Sequence, residues 1–304
     1  MNNDLYAIAL DVGGTSVKQA LVSERGIIFP PSVREAPINS KGSAVEIIDT
    51  FTDSILHGFH IADMNDLDVA GIGIGMPGPF DYPAGISLIS GVDKYEAIYG
   101  VNLRDEFRSA LELGSDFPIV FENDAWSFVR GEAWTGAGKG FQRLIGLTLG
   151  TGFGSGFMVD DEIVESGPGV PPLAWIGGLK YNDGILDDRI SRRGLIRRYQ
   201  ELSARGEGID VKDIAGLAHA DDAHALQVFA ETGEILGRYL APVVKEFGAQ
   251  AIVIGGKIAR SAELFLPALE NSLNMDVAVR IAAHIDHSAL SGAARFLFKQ
   301  LKKD

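Results

Sequence analysis

The sequence predicts an α/β protein of two lobes, each built on a mixed β-sheet with helices outside it. Three observations carry that expectation. A strand, a glycine-rich turn and a second strand occur in the same order near residues 5–22 and again near 144–159. Short apolar strands and amphipathic helices follow each copy. A chain of 304 residues is long enough for about two domains.

The first copy runs through the strand Leu5–Leu10, the turn Asp11-Val-Gly-Gly-Thr15 and the strand Ser16–Val22. Glu24-Arg25-Gly26 then turns into Ile27-Ile28-Phe29, which predicts a three-stranded antiparallel meander. The second copy is Leu144–Leu149, Gly150-Thr-Gly-Phe-Gly154, Ser155–Val159, an acidic turn and a strand through Val164. Gly13 and Gly150 mark equivalent points. That separation is too wide for a solenoid repeat and predicts a duplicated domain. Between the copies the pattern predicts helices over 44–59, 103–113 and 125–134 and strands over 69–75 and 119–121. After the second copy it predicts helices over 194–204, 211–217 and 221–247, a strand over 251–254 and a closing helix over 291–302. The lobes are expected at 1–120, completed by a C-terminal helix at 289–304, and at 121–288.

Composition removes several function classes. Hydrophobic residues make up 46% and charged residues 22%, the balance of a globular chain. The formal charge of −14 disfavours polyanionic partners, so no nucleic-acid partner is expected. The one basic cluster, Arg189, Arg192, Arg193, Arg197 and Arg198, has the spacing of a solvated helix. With no cysteine there is no disulfide, thiolate zinc site or cysteine nucleophile. The polar start of the chain carries no signal-peptide pattern, and no apolar run is long enough to span a bilayer, so a cytoplasmic protein with no membrane partner is expected.

Glycines let a backbone bring its amides close to an anion with no Cβ in the way. Gly13, Gly14 and Thr15 suit a phosphate loop, and Asp11 at the strand end can hold Mg²⁺ through water; a plain hairpin turn is the alternative. Gly150, Thr151 and Gly152 repeat the arrangement, which two accidents explain less well than one shared use; a strand bulge is the alternative. Gly136–Gly140 lacks the hydroxyl residue that a P-loop requires after its lysine, and Ser155 breaks a dinucleotide fingerprint. Glu122-Asn123-Asp124-Ala125 joins a strand to a helix. Asp124 there is either a helix N-cap or a general base for an attacking hydroxyl, with Asn123 on a neighbouring hydroxyl. Gly78-Pro79, after an apolar strand, fits a rigid wall beside a small ligand or an ordinary strand exit. Gly255-Gly256 fits a flat seat for an adenine ring or an ordinary turn.

Five ordered motifs carry a resemblance: Asp11-x-Gly-Gly-Thr-x-x-Lys18, Gly73-x-Gly-x-Pro-Gly78, Glu122-Asn-Asp-Ala125, Leu147-Thr-Leu-Gly-Thr-Gly152 and Val253-Ile-Gly-Gly256. Together they resemble the ROK sugar kinases over nearly the whole chain. The resemblance implies a two-domain actin/hexokinase-like (ribonuclease H-like) fold with an ATP site between the lobes. It also implies Mg²⁺, a small-molecule sugar substrate and a homodimer. Asp124 is carried over as catalytic base and Asn123 as a sugar ligand, with Asn102 as a further one and Lys18 among the nucleotide contacts. The departures are specific. Where the family has Glu-x-Gly-His, this chain has Trp175-Ile-Gly-Gly178, and the cysteine-rich zinc loop that follows in the main branch is absent, so no zinc is expected. Asp187 stands where a later sugar-binding Glu is found. The chain starts at the first strand, without the helix-turn-helix of the family's repressors. The reading is an ATP-dependent kinase for the hydroxyl of a hexose or hexose derivative. The alternative is a non-catalytic sugar- or nucleotide-binding regulator descended from a kinase. A filament-forming actin-like ATPase ranks behind both, because the Asn-Asp-Ala and Gly-Met-Pro-Gly segments suit a sugar pocket better.

Overall fold

The computed structural model describes residues 4–92, 94–204 and 208–303, so the polar start of the chain at 1–3 lies outside the described residues. The chain forms two compact units, Met1–Thr135 with His287–Asp304, and Gly136–Asp286.

The first unit contains β1 (Leu5–Val12), β2 (Ser16–Ser23), β3 (Arg34–Pro37), α1 (Ala44–Met64), β4 (Asp68–Met76), the short pair β5 (Phe80–Asp81) and β6 (Ile86–Ser87), α2 (Leu103–Ala110), β7 (Ile119–Asn123) and α3 (Asp124–Thr135). Its sheet has the order β3-β2-β1-β4-β7. β2 is antiparallel to β1 and β3, while β4 is parallel to β1 and β7. The edge strand lies later than the sequence suggests. Residues 27–29 make only the bridge Val22–Ile28. Pro30 and Pro31 then remove two backbone donors and form a short 3₁₀ turn, and the ladder resumes at β3.

Alternation along the strands decides what covers each face. On β1, Ile8 and Leu10 belong to the core shared with α1, whereas Ala7 and Ala9 pack with the last helix. β4 repeats the scheme with Ile72 and Ile74 against glycines 71, 73 and 75.

The second unit contains β8 (Arg143–Leu149), β9 (Phe153–Val159), β10 (Glu162–Ile163), β11 (Lys180–Tyr181), β12 (Gly184–Ile185), α4 (Asp187–Ile190), α5 (Arg192–Ser203), α6 (Val211–His219), α7 (Ala223–Phe247), β13 (Ala251–Gly255), α8 (Leu266–Leu273) and β14 (Ala278–Ile281). Its sheet order, β10-β9-β8-β13-β14, repeats the pattern of the first, with β9 antiparallel and β13 parallel to β8. The sequence duplication is therefore a duplication of topology. The five clustered arginines of α4 and α5 bind carboxylates of the same unit, including Arg189 and Arg198 on Glu231 and Arg192 on Asp210.

The chain ends in α9 (Ser288–Gln300), which belongs to the first unit. Gly131 of α3 faces the Ser288 carbonyl, Gly292 of α9 faces the Ser127 carbonyl, and Gly73 of β4 faces the Ala293 carbonyl. A Cβ at any of the three would collide with backbone. These contacts move the division of the chain relative to the expected one at 120/121. β7 is a parallel partner of β4 and α3 is bound to α9, so residues 121–135 stay in the first unit.

Candidate active site

In the first unit, β1 runs out at Asp11 and Val12 and the chain turns back through Gly13–Thr15, closed by the Gly13 N–H on the Ser16 carbonyl at 2.9 Å. Two side chains hold the outer carbonyls of this turn. The hydroxyl of the fully buried Tyr95 donates to Gly13, and the Ser40 hydroxyl donates to Gly14 at 2.7 Å. The N–H groups of Gly14 and Thr15 find no protein acceptor among the described residues. Carbonyls held from behind and free amides in front suit an anion.

At the end of β7, the cap of α3 comes mainly from the neighbour of Asp124. The Asn123 side-chain oxygen accepts the N–H of Ala125 at 3.0 Å and of Trp126 at 3.3 Å, the bonds of an N-cap to the second and third helical residues. Asn123 therefore caps α3, and its amide nitrogen donates to the Tyr82 hydroxyl at 3.1 Å. Asp124 is the first helical residue, and among the described residues its carboxylate accepts only from nearby backbone, the Ala125 N–H at 2.9 Å. Behind it the buried Glu122 is held by Arg130 at 2.6 Å and by Ser127 at 3.2 Å.

Asp11 and Asp124 share this corner, and both carboxyls lie above the ordinary range. Burial raises Asp11 to about 6, with the charge of Asp124 as the second cause and Lys18 opposing. Burial also raises Asp124, opposed first by the charge of Lys94. A carboxylate with a raised pKa is a stronger base, which suits general-base work. A divalent cation at Asp11 would relieve the cost of its charge. One carboxylate plus substrate phosphates is a usual donor set for Mg²⁺, so the residues fit that ion.

In the second unit, the Gly150–Gly152 turn is closed by the Gly150 N–H on the Gly152 carbonyl at 3.0 Å. The N–H of Arg192, at the start of α5, donates to the Gly150 carbonyl at 2.8 Å, leaving the Thr151 and Gly152 N–H groups without a protein acceptor among the described residues. The backbone of Phe153, the next residue, is held on both sides. Its N–H donates to the buried Asp187 and its carbonyl accepts the Trp175 indole N–H at 2.6 Å.

A sequence profile of the ROK family matches residues 7–300. The chain belongs to the ROK family. Among its relatives, a glucokinase of Halalkalibacterium halodurans is 28% identical over 92% of this chain and 88% of that protein. The xylose repressor of Bacillus subtilis is 24% identical over 93% of this chain and 71% of the repressor. A ROK glucokinase of Streptomyces griseus, solved with glucose and AMPPNP, superposes with a TM-score of 0.80 at 24% identity, covering 97% of this chain and 99% of that one. The fold is that of the actin/hexokinase-like ROK proteins.

Trp175 and Gly178, the two positions expected from the resemblance to depart from the family motif, are coupled sterically. The Trp175 ring lies over the 177–178 backbone, where a Cβ on Gly178 would fall 2.6 Å from the ring and one on Gly177 would fall 2.5 Å from its nitrogen. A histidine at 178 is incompatible with this tryptophan pose. Two residues given sugar contacts by resemblance have other tasks here. Asn102 caps α2, accepting from Arg104 at 3.1 Å and donating to Asp105 at 2.7 Å. Asp187 holds the Phe153 N–H and pairs with Arg193. Gly78 lies within reach of Tyr82 and Asn123, and the Gly78–Pro79 peptide is cis. Lys18 stands in register between Asp11 and Glu35. Gly256 has a positive φ of 82° and a Cβ there would strike the Leu149 carbonyl, so its own packing accounts for the glycine; Gly255 ends β13 opposite Thr148. The sequence reading missed Ser40, Lys94 and Tyr95, which sit in segments without periodicity.

Two outcomes are expected. The folded chain keeps the Asp11 proton up to about pH 6, whereas the unfolded chain releases it near 3.8. The folded state therefore binds more protons in that window, and stability from this group falls as pH rises through it. Asp11→Asn should raise the unfolding midpoint at pH 8 without metal, by the equivalent of up to about 3 kcal/mol, and by only about a third as much at pH 4.5; thermal melts at both pH values check this. Gly178→Ala should destabilise the chain by about 1–3 kcal/mol. In a Trp175→Ala background the same change should cost under about 0.5 kcal/mol, which a double-mutant cycle in urea measures.

Proposed function

We propose that this chain is an ATP-dependent sugar kinase that transfers the γ-phosphoryl group of ATP to a hydroxyl of a hexose or hexose derivative. One observation carries the reading. Asn123 supplies the helix cap, so the raised-pKa carboxylate of Asp124 is left for a proton, in the same corner as the Gly13–Thr15 amides and Asp11. Asp124 receives the proton of the attacking hydroxyl as the new O–P bond forms, and the bond to the β-phosphate oxygen breaks with ADP leaving as its anion. The amides of Gly14 and Thr15, and in the second unit those of Thr151 and Gly152, bind phosphate oxygens. Asp11 holds Mg²⁺, which supplies charge neutralisation when bound. Lys18 adds charge near Asp11, the donor of Asn123 and the Gly78-Pro79 wall contact the sugar, and Gly255-Gly256 adjoins the adenosine. The reading includes a homodimer, as the family resemblance implies, acting in the cytoplasm.

A second reading, a regulator that binds sugar or nucleotide without turnover, is favoured by one observation. Trp175 and Gly178 replace two polar sugar-binding positions of the family, and a lost polar partner costs about 1–3 kcal/mol of binding. Retention of Asp124 with its cap supplied by a different residue favours the enzyme. Full-length protein assayed for ADP release with Mg-ATP and a panel of hexoses, amino sugars and N-acetyl sugars separates the two. The kinase reading expects sugar-dependent ADP release with at least one member. A sugar that raises the unfolding midpoint without any ADP release supports the regulator instead.

A further inference from the structure

Tyr95 adopts a left-handed backbone, with φ of 57°, although its side chain is large and wholly buried. A non-glycine residue holds that conformation only where the surroundings fix it, and such residues collect at ligand sites. Here the surroundings are the first glycine turn. The Tyr95 hydroxyl donates to Gly13, its N–H donates to the Ser40 carbonyl at 2.6 Å, and Ser40 donates to Gly14. The segment carrying Tyr95 is thus bound to the Gly13–Gly14 turn once directly and once through Ser40.

The residue positioned by that anchor is Lys94. Its stem lies against the turn, with its Cδ 3.9 Å from the point a Gly14 Cβ would occupy, so the space beside this glycine is closed by a lysine. The charge inventory of the corner gives the lysine a purpose. Asp11, Glu35 and Asp124 are acidic, and a bound triphosphate adds more negative charge. Lys18 lies in the ladder between Asp11 on β1 and Glu35 on β3, so two strand neighbours of opposite charge share it. Lys94 closes no salt bridge among the described residues.

We propose that Lys94 binds the phosphoryl group in transfer, its ammonium holding the equatorial oxygens beside the Gly14 and Thr15 amides. This rests on the kinase reading above. Lys94 keeps its proton throughout; the proton of the acceptor hydroxyl goes to Asp124, and the electron pair of the broken bond leaves with ADP. Electrostatic attraction to the terminal phosphate holds it in the ground state and, growing as charge develops, lowers the barrier further. Lys94 also opposes the upward shift that burial imposes on Asp124.

The test uses full-length Lys94→Met and Lys94→Arg proteins, with thermal melts to establish folding. With Mg-ATP and an accepted sugar, Lys94→Met should lower kcat by about 100-fold or more while the sugar KM stays within about threefold, and Lys94→Arg should recover at least about tenfold of the loss. Calorimetric titration supplies a readout that needs no turnover. Lys94→Met should bind ADP as wild type does but bind a non-hydrolysable ATP analogue at least about tenfold more weakly, since only the analogue carries the third phosphate. A kcat within threefold of wild type, a rise confined to the sugar KM, or equal weakening of ADP and analogue would each overturn the assignment. If wild type turns over no sugar, the kinase reading fails, and the comparison of ADP with the analogue still decides whether Lys94 holds the terminal phosphate.

Discussion

The side-chain oxygen of Asn123 on the first free amides of α3 is the contact from which the site follows. A helix that starts at the end of a strand leaves unsatisfied N–H groups, and the nearest acidic side chain commonly takes them. In this protein the residue before the carboxylate takes two of them, and Asp124 shares only the Ala125 amide. Asp124 is then half-buried and, among the described residues, bonded only to nearby backbone, next to Asp11, on a helix whose position is fixed by direct backbone contact with α9. Glycines at 131 and 292 permit that contact. These contacts, at Ser127 and Gly131 along the middle of α3, fix the helix that carries Asp124.

The two glycine turns reach the same end by different means. Each has its carbonyls bound from behind and two consecutive amides left in front. In the first unit a tyrosine and a serine do the holding. In the second, the start of α5 holds Gly150, and Asp187 with Trp175 holds Phe153. Fixing the backbone beforehand lowers the ordering cost when an anion binds, and oriented amides act locally on a chain whose overall charge is −14. The second unit applies the same economy to its arginines, which are neutralised by Asp187, Asp188, Asp210 and Glu231 and leave little free positive charge on α5.

Much of this was legible in the sequence where a period or a glycine pair wrote it. The strands around both turns, the long helix α7 and the duplication all follow from alternation and spacing. The edge strand was misplaced because an apolar triplet at 27–29 looks like a strand, while the Pro30-Pro31 turn that displaces it acts on hydrogen bonding and leaves hydrophobicity unchanged. The boundary between the units was placed too early because the parallel pairing of β7 with β4 joins segments far apart in the chain. Resemblance alone could not show that Asn102 is spent on a helix cap or that Asp187 serves a backbone amide. Trp175 and Gly178 read as two separate positions in sequence and form one steric unit in three dimensions. Lys94 and Tyr95 left no trace in any periodicity, since their importance lies in a backbone conformation and a long-range hydroxyl bond.

The central claim is that Asp124 accepts a proton and does not merely finish a helix. Rapid-quench single-turnover transfer from labelled Mg-ATP to an accepted sugar, comparing wild type with Asp124→Asn, tests it most directly. The account predicts a transfer rate lower by about 10²- to 10⁴-fold, with helical content nearly unchanged because Asn123 still caps α3, and an unfolding midpoint no lower than that of wild type, since the exchange removes a buried charge. An Asp124→Asn protein that transfers phosphate at the wild-type rate would contradict it.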